Sequence, residues 1–140
     1  MENIESPITK IAVLLRDDLE GWQRLNVTAF LVSGIAAANP ELIGDPYVDA
    51  ADMEYLAVFR QPVLVFAGSK ETLRTAHARA MGRDLPISIF TSDLFATSND
   101  VDNRAAVRAV TTEELDLVGI GLYAGKNVVD KIVKGSRMHP

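Results

Sequence analysis

Short apolar blocks and longer amphipathic runs alternate along this chain. Lys10-Ile11-Ala12-Val13-Leu14-Leu15-Arg16 is an apolar block bounded by charge, of the length that suits a buried strand. Asp17 to Gly21 turns the chain, and the period then changes. From Trp22 to Ala38, Leu25, Ala29, Val32 and Ala36 share one helical face, while Phe30, Gly34 and Ala37 line a neighbouring one. A helix apolar nearly all round is expected to be deeply packed. Asn26 is a candidate cap for its regular part, and Asn39-Pro40 stops it. Pro40, Gly44 and Pro46 mark an acidic connection over residues 40–52. Two extended segments follow, Tyr55 to Phe59 and Pro62 to Ala67, broken at Gln61-Pro62.

Val63-Leu64-Val65-Phe66-Ala67 lacks polar alternation, which places it centrally in a sheet. Ser69 caps a helix to about Met81, with Leu73, Ala76 and Ala80 inward and Gly82 at its end. Ile87 to Thr91 reads as a strand. Residues 92–112 read as a long irregular loop with turn signals at Ser98-Asn99-Asp100 and Asp102-Asn103. Leu117 to Tyr123 is a further strand, and Asn127 to Lys134 a helix burying Val128, Val129, Ile132 and Val133. The alternation predicts a single three-layer α/β/α domain over residues 1–140, with a mixed, mainly parallel sheet and an ordered core at about 8–135. His139 falls in a tail expected to be disordered.

Composition removes several classes of function. The chain has no cysteine and two histidines, so neither a thiolate nucleophile nor a cysteine or histidine metal cluster is expected, and no cofactor is implied. Met1 to Glu5 is unlike a signal peptide, and no apolar run reaches the ~18 residues of a membrane span. A cytoplasmic address without a membrane partner is the expectation. Residues 1–60 carry net −6 and residues 61–140 net +1, for −5 overall. Phosphate contacts dominate nucleic-acid affinity, so this balance argues against a nucleic-acid partner. The arginines from Arg74 to Arg108 read as a solvated face.

Gly119-Ile120-Gly121-Leu122-Tyr123-Ala124 imitates a dinucleotide fingerprint, but both glycines fall inside a strand and only 16 residues follow. Gly125-Lys126 lacks the spacing and the Ser or Thr of a phosphate loop. Asp100 to Arg104 lacks the glycine and terminal glutamate of a calcium loop. Better placed are Asp18, after the first strand, and Asp93, after a later one. Parallel strands would bring both to the sheet edge where α/β domains bind ligands. Two neighbouring carboxylates there could supply a proton donor.

Several stretches together resemble the type II peptidyl-tRNA hydrolase fold over most of residues 10–135. Arg16-Asp17-Asp18-Leu19 resembles that family's Arg-x-Asp-Leu, and Asp93-Leu94-Phe95-Ala96-Thr97 its Asp-x-x-x-Thr. Trp22 to Phe30 is similar to a bacterial family of small, functionally uncharacterised proteins on this fold. The departures are at the chemistry. The hydrolases carry Lys-Gly-Lys before the helix and Gln and His within it. Here Arg24 stands alone, Val27 to Ala38 has neither Gln nor His, and Phe95 replaces a glycine.

The resemblance therefore implies a rebuilt cleft. Asp93, Thr97 and Asp18 are the candidate catalytic residues. Trp22, Gln23, Asn26 and Arg24 are the candidate ligand contacts, Trp22 stacking on a planar polar molecule. The alternative is a non-enzymatic homo-oligomeric module, and peptidyl-tRNA hydrolysis ranks third. The fold resembled also suggests a homodimer.

Overall fold

The computed structural model describes residues 8–140; the Met1 to Glu5 segment lies outside the described residues. The elements run β1 (Thr9–Arg16), α1 (Gly21–Ala38), β2 (Tyr47–Val48), β3 (Glu54–Tyr55), β4 (Val63–Gly68), α2 (Lys70–Gly82), β5 (Ser88–Thr91), α3 (Asp100–Arg108), β6 (Leu117–Gly125), α4 (Lys126–Ile132) and β7 (Arg137–Met138). Five strands form a mixed sheet in the order β5-β6-β1-β4-β7. The α/β class with a mixed sheet is as expected.

Its direction is not mainly parallel. Only β1 and β4 pair in parallel, and the pairs β1–β6, β5–β6 and β4–β7 are antiparallel. The connection after β5 explains this. It returns no helix across the sheet: Ser92 NH bonds Asp116 O at 2.9 Å, so the chain re-enters at the edge it left and must run back. A parallel neighbour needs a crossover, which this segment does not make.

Side chains alternate across the sheet, and so do its two cores. Ala12 and Leu14 face Leu73, Ala76 and Ala80 of α2 and Val129 and Ile132 of α4. Val13 and Leu15 face Val27 and Leu31 of α1. Gly119 and Gly121 let α1 settle on β6: a Cβ at Gly119 would meet Val27 Cγ1 at 2.7 Å, and one at Gly121 would meet Leu31 Cβ at 3.1 Å. The sequence motif that imitates a nucleotide loop is thus a packing surface.

Five further expectations are corrected. First, α1 starts at Gly21, and its cap is the reciprocal pair Glu20 and Gln23, not Asn26. Second, α1 is not deeply packed: Val27, Leu31 and Ile35 are buried, but Trp22, Leu25 and Phe30 are 58%, 76% and 52% exposed. Third, residues 92–112 contain a 3-10 turn, Ser92–Phe95, and the helix α3, which begins because Asn99 Oδ1 accepts the Asp102 NH at 2.8 Å. Fourth, the C-terminal tail is ordered. β7 pairs with Phe66 and Ala67, and His139 NH bonds Val65 O at 2.9 Å. Tyr55 to Phe59 likewise forms no strand in the main sheet; Tyr55 belongs to the small β2–β3 hairpin and Phe59 only bridges Ile43.

Candidate functional site

β1, β4 and β5 all point their carboxyl ends to one edge, so Asp18 and Asp93 share that edge as their positions suggested. They do not leave neighbouring strands, because β6 runs between β1 and β5. The group set between carboxylates is Arg16. Its Nε donates to Asp18 Oδ1 and its Nη1 to Asp116 Oδ1, each at 2.8 Å, while Lys70 stands 3.7 Å from Asp116. The Ser92 side chain and the Arg16 guanidinium hold the Asp116 carboxyl below its usual range, and the two carboxylates raise Arg16, with Asp18 the larger influence. Asp18 is thus an exposed partner of a largely buried cation. Asp93 is exposed in the turn that follows β5.

Gln23 and Arg24 serve the backbone. Gln23 Oε1 accepts the Glu20 NH at 2.9 Å, closing the helix cap. Arg24 donates from Nε to Leu19 O at 2.8 Å and from Nη2 to Asp17 O at 2.9 Å, and its Nη1 stands 3.0 Å from His139 Nε2. This fork ties the β1–α1 turn to the C-terminal segment.

Trp22, Asn26 and Thr97 come together. They line a cleft of about 430 Å³ between the first turns of α1 and the segment 94–103. Its walls are aromatic. Trp22 meets Phe95 edge-on at 5.9 Å, Phe95 meets Phe90 at 5.1 Å, and Phe30 meets Phe90 edge-on at 5.5 Å. Asn26, released from capping, lines the cleft, as do Asn99 and Asn103. The Thr97 hydroxyl lies between Leu94 O, at 3.1 Å, and the Asn103 carboxamide oxygen, so it fixes the wall. Asp100, the carboxylate of the lining, is paired with Arg104 at 2.7 Å. Asp18, Gln23, Arg24 and Asp93 are not part of this lining.

Sequence reasoning missed Phe30, Phe90, Phe95 and Asn103. Phe95 was visible only as a lost glycine, and Phe90 as one more apolar strand residue. Their meeting depends on α1 crossing β5, which the aromatic spacing alone does not encode. Among the described residues, no group of three or more His, Asp or Glu side chains is placed to hold a metal ion, and no helix is long and apolar enough to cross a membrane.

A mixed α/β sheet with an aromatic, amide-lined cleft at its strand-end edge defines the class of domain. Within that class, the chain belongs to the family described as protein of unknown function (DUF2000), whose model matches residues 9–140. It is similar to the solved structure of the protein of unknown function Atu0240 from Agrobacterium tumefaciens str. C58, at 45% identity and a TM-score of 0.92. The match covers 94% of this chain and 98% of that one. No curated protein matches the chain. The similarity read from Trp22 to Phe30, to an uncharacterised bacterial family, agrees with these findings.

Proposed function

We propose that the chain is a ligand-binding α/β domain whose cleft takes a small, planar, neutral molecule bearing both hydrogen-bond donors and acceptors, of the nucleobase or nucleoside class. One observation carries the reading: the Trp22, Phe95, Phe90 and Phe30 rings enclose the same cleft that Asn26, Asn99 and Asn103 line. Apolar walls with a few placed polar groups are how small-molecule sites discriminate, and a carboxamide presents a donor and an acceptor together. Trp22 offers an exposed ring for stacking, and Thr97 positions the Asn103 side of the wall. Asp18 and Asp93 would act from the neighbouring edge.

Peptidyl-tRNA hydrolysis draws less support. Arg24, the basic group in the stretch that resembles the hydrolases, is engaged by two backbone carbonyls and by His139. Asp18 neutralises Arg16.

Trp22 is the sole tryptophan, so its fluorescence reports directly on the cleft. Titration with adenosine, guanosine, cytidine and uridine is expected to give a saturable change with at least one of them. Asn26→Ala, which leaves the fluorophore in place, should weaken it about tenfold, the size of one lost hydrogen bond of about 1.4 kcal/mol. No saturable change with any of the four up to millimolar concentration, or full binding by Asn26→Ala, would overturn the reading.

A further inference from the structure

From Leu25 to Ala38, α1 contains no ionisable residue, yet only one side of it is buried. Its exposed side carries Trp22, Leu25, Asn26, Ala29, Phe30, Ser33, Gly34, Ala37 and Ala38. A surface helix ordinarily opposes a polar face to its buried stripe. This one opposes a second apolar face, which marks a contact surface.

The face is also graded. Its large side chains, Trp22, Leu25 and Phe30, stand in the first part of the helix. Its small ones, Ser33, Gly34, Ala37 and Ala38, stand in the last part, beside a groove of about 630 Å³ lined by Leu85, Pro86 and Ile87. Ala29 and Phe30 lie at the midpoint of this 18-residue element. A two-fold axis through that midpoint sets the large half of one helix against the small half of another. The surface is then complementary to itself in the antiparallel sense, as an isologous dimer requires.

A second exposed element belongs to the same construction. Residues 45–56, which include β2 and β3, are all exposed, with Leu56 at 90%. This arm holds its shape through its own turn: Asp49 Oδ1 accepts from Ala51 NH at 2.8 Å and Met53 NH at 3.0 Å, and Asp49 Oδ2 accepts the Tyr55 hydroxyl at 2.8 Å. A lone two-stranded hairpin is marginal in water, and this one presents Tyr47, Val48, Met53 and Leu56 to solvent. Its base, where Gly44 NH bonds Val58 O at 2.9 Å, follows the C-terminal end of α1. Antiparallel pairing of α1 therefore starts each arm beside the N-terminal end of the opposite α1, where the aromatic cleft opens.

We infer that this surface is covered by a second copy of the chain, α1 packed antiparallel on α1 about a two-fold at Ala29 and Phe30, with the arm of each copy reaching toward the cleft of the other. The nine residues of this α1 face and the twelve of the arm match the roughly 20–30 residues a side of a stable interface. A lipid surface is the poorer occupant. Residues 41–59 hold Glu41, Asp45, Asp49, Asp52 and Glu54 and no Lys or Arg, so an anionic leaflet repels the arm. The inference rests on the helix face and needs no bound molecule; Trp22, Asn26 and Phe30 belong both to this face and to the cleft, so the second copy would wall the open side of the cleft.

The absence of cysteine from the sequence makes the arrangement directly testable. Trp22→Cys and Ala37→Cys chains are co-expressed, and each is also made alone, then treated with a short bifunctional thiol cross-linker. In the antiparallel pair, position 22 of one copy faces position 37 of the other. Two copies of position 22 lie about 22 Å apart, at 1.5 Å per residue. The mixture is expected to give a covalent dimer at ten times or more the yield of Trp22→Cys alone. Ala29→Cys alone should also cross-link, because that position meets its own copy. No dimer band in the mixture and none from Ala29→Cys would overturn the inference. So would equal yield from Trp22→Cys alone, or a monomer that binds vesicles of neutral or anionic lipid through this face.

Discussion

The two faces of the sheet are finished in opposite ways. On one, α2 and α4 close over Ala12, Leu14, Ile120 and Leu122, and Leu73, Ala76, Ala80, Val129 and Ile132 are buried without remainder. On the other, α1 buries Val27, Leu31 and Ile35 and leaves Trp22, Leu25 and Phe30 open, with the aromatic cleft at its start. The same length of apolar sequence serves a core in one place and a surface in the other. Hydrophobicity states that a segment will be covered. It does not state by what.

Substitutions on the two faces should separate accordingly. The largest effect is expected at Leu73→Ala, fully buried on the inner face of α2, with a loss of about 2–5 kcal/mol in denaturant unfolding. Gly119→Ala tests how tightly α1 lies on β6. Its Cβ would stand 2.7 Å from Val27 Cγ1, and a loss of about 1–3 kcal/mol is expected. A neutral result there would mean that the α1 side is loosely packed, and the contrast would fail.

Arg16→Gln should cost about 1–2 kcal/mol, less than a fully buried ion pair because Asp18 is exposed and Asp116 partly so. The same site has a pH signature. The Ser92 side chain and Arg16 lower the Asp116 pKa from its usual 3.8, so this stabilisation is complete above that value and fades as the pH falls below it. In melts across the acid range, Ser92→Ala and Arg16→Gln should each reduce that acid loss.

His77 offers a smaller, separate test on the closed face. Burial lowers its pKa from 6.5, so below that pH the unfolded chain takes up the proton first and stability falls. His77→Gln should flatten the change in melting temperature between pH 7 and pH 5.5. The smallest effect belongs to the open face. Leu25→Ala, at a position 76% exposed, should change the stability of the isolated chain by no more than about 0.5 kcal/mol.

Much of the fold was legible because local chemistry decided it. Ser69 caps α2 as read, its Oγ accepting the Thr72 NH at 3.2 Å, and the strands at β1, β4, β5 and β6 sit where apolar runs placed them. Strand direction was not legible, since it depends on where the segment 92–116 travels and that segment holds no crossover helix. The Asn99 cap of α3 read as a turn, because the same side chain–backbone bond serves both. The order of the tail was hidden because Arg137 and Met138 make only a two-residue pairing, reinforced by Arg24 against His139. At the site, Trp22, Asn26 and Thr97 were found by position. Gln23 and Arg24 read as ligand contacts on the same grounds, but the backbone claims them outside the cleft lining, and nothing in their spacing distinguishes a cap from a ligand contact.

The central claim, that the open face of α1 is a surface for a second copy, is tested most directly by sedimentation equilibrium of the unaltered chain beside Ala29→Arg. The substitution puts a charge at the proposed two-fold while occupying an exposed position with a good helix former. The account predicts twice the 15.2 kDa chain mass for the unaltered protein and a single chain mass for the variant, with circular dichroism unchanged. A single chain mass for the unaltered protein across the accessible concentrations, or a dimer that Ala29→Arg leaves intact, would contradict it.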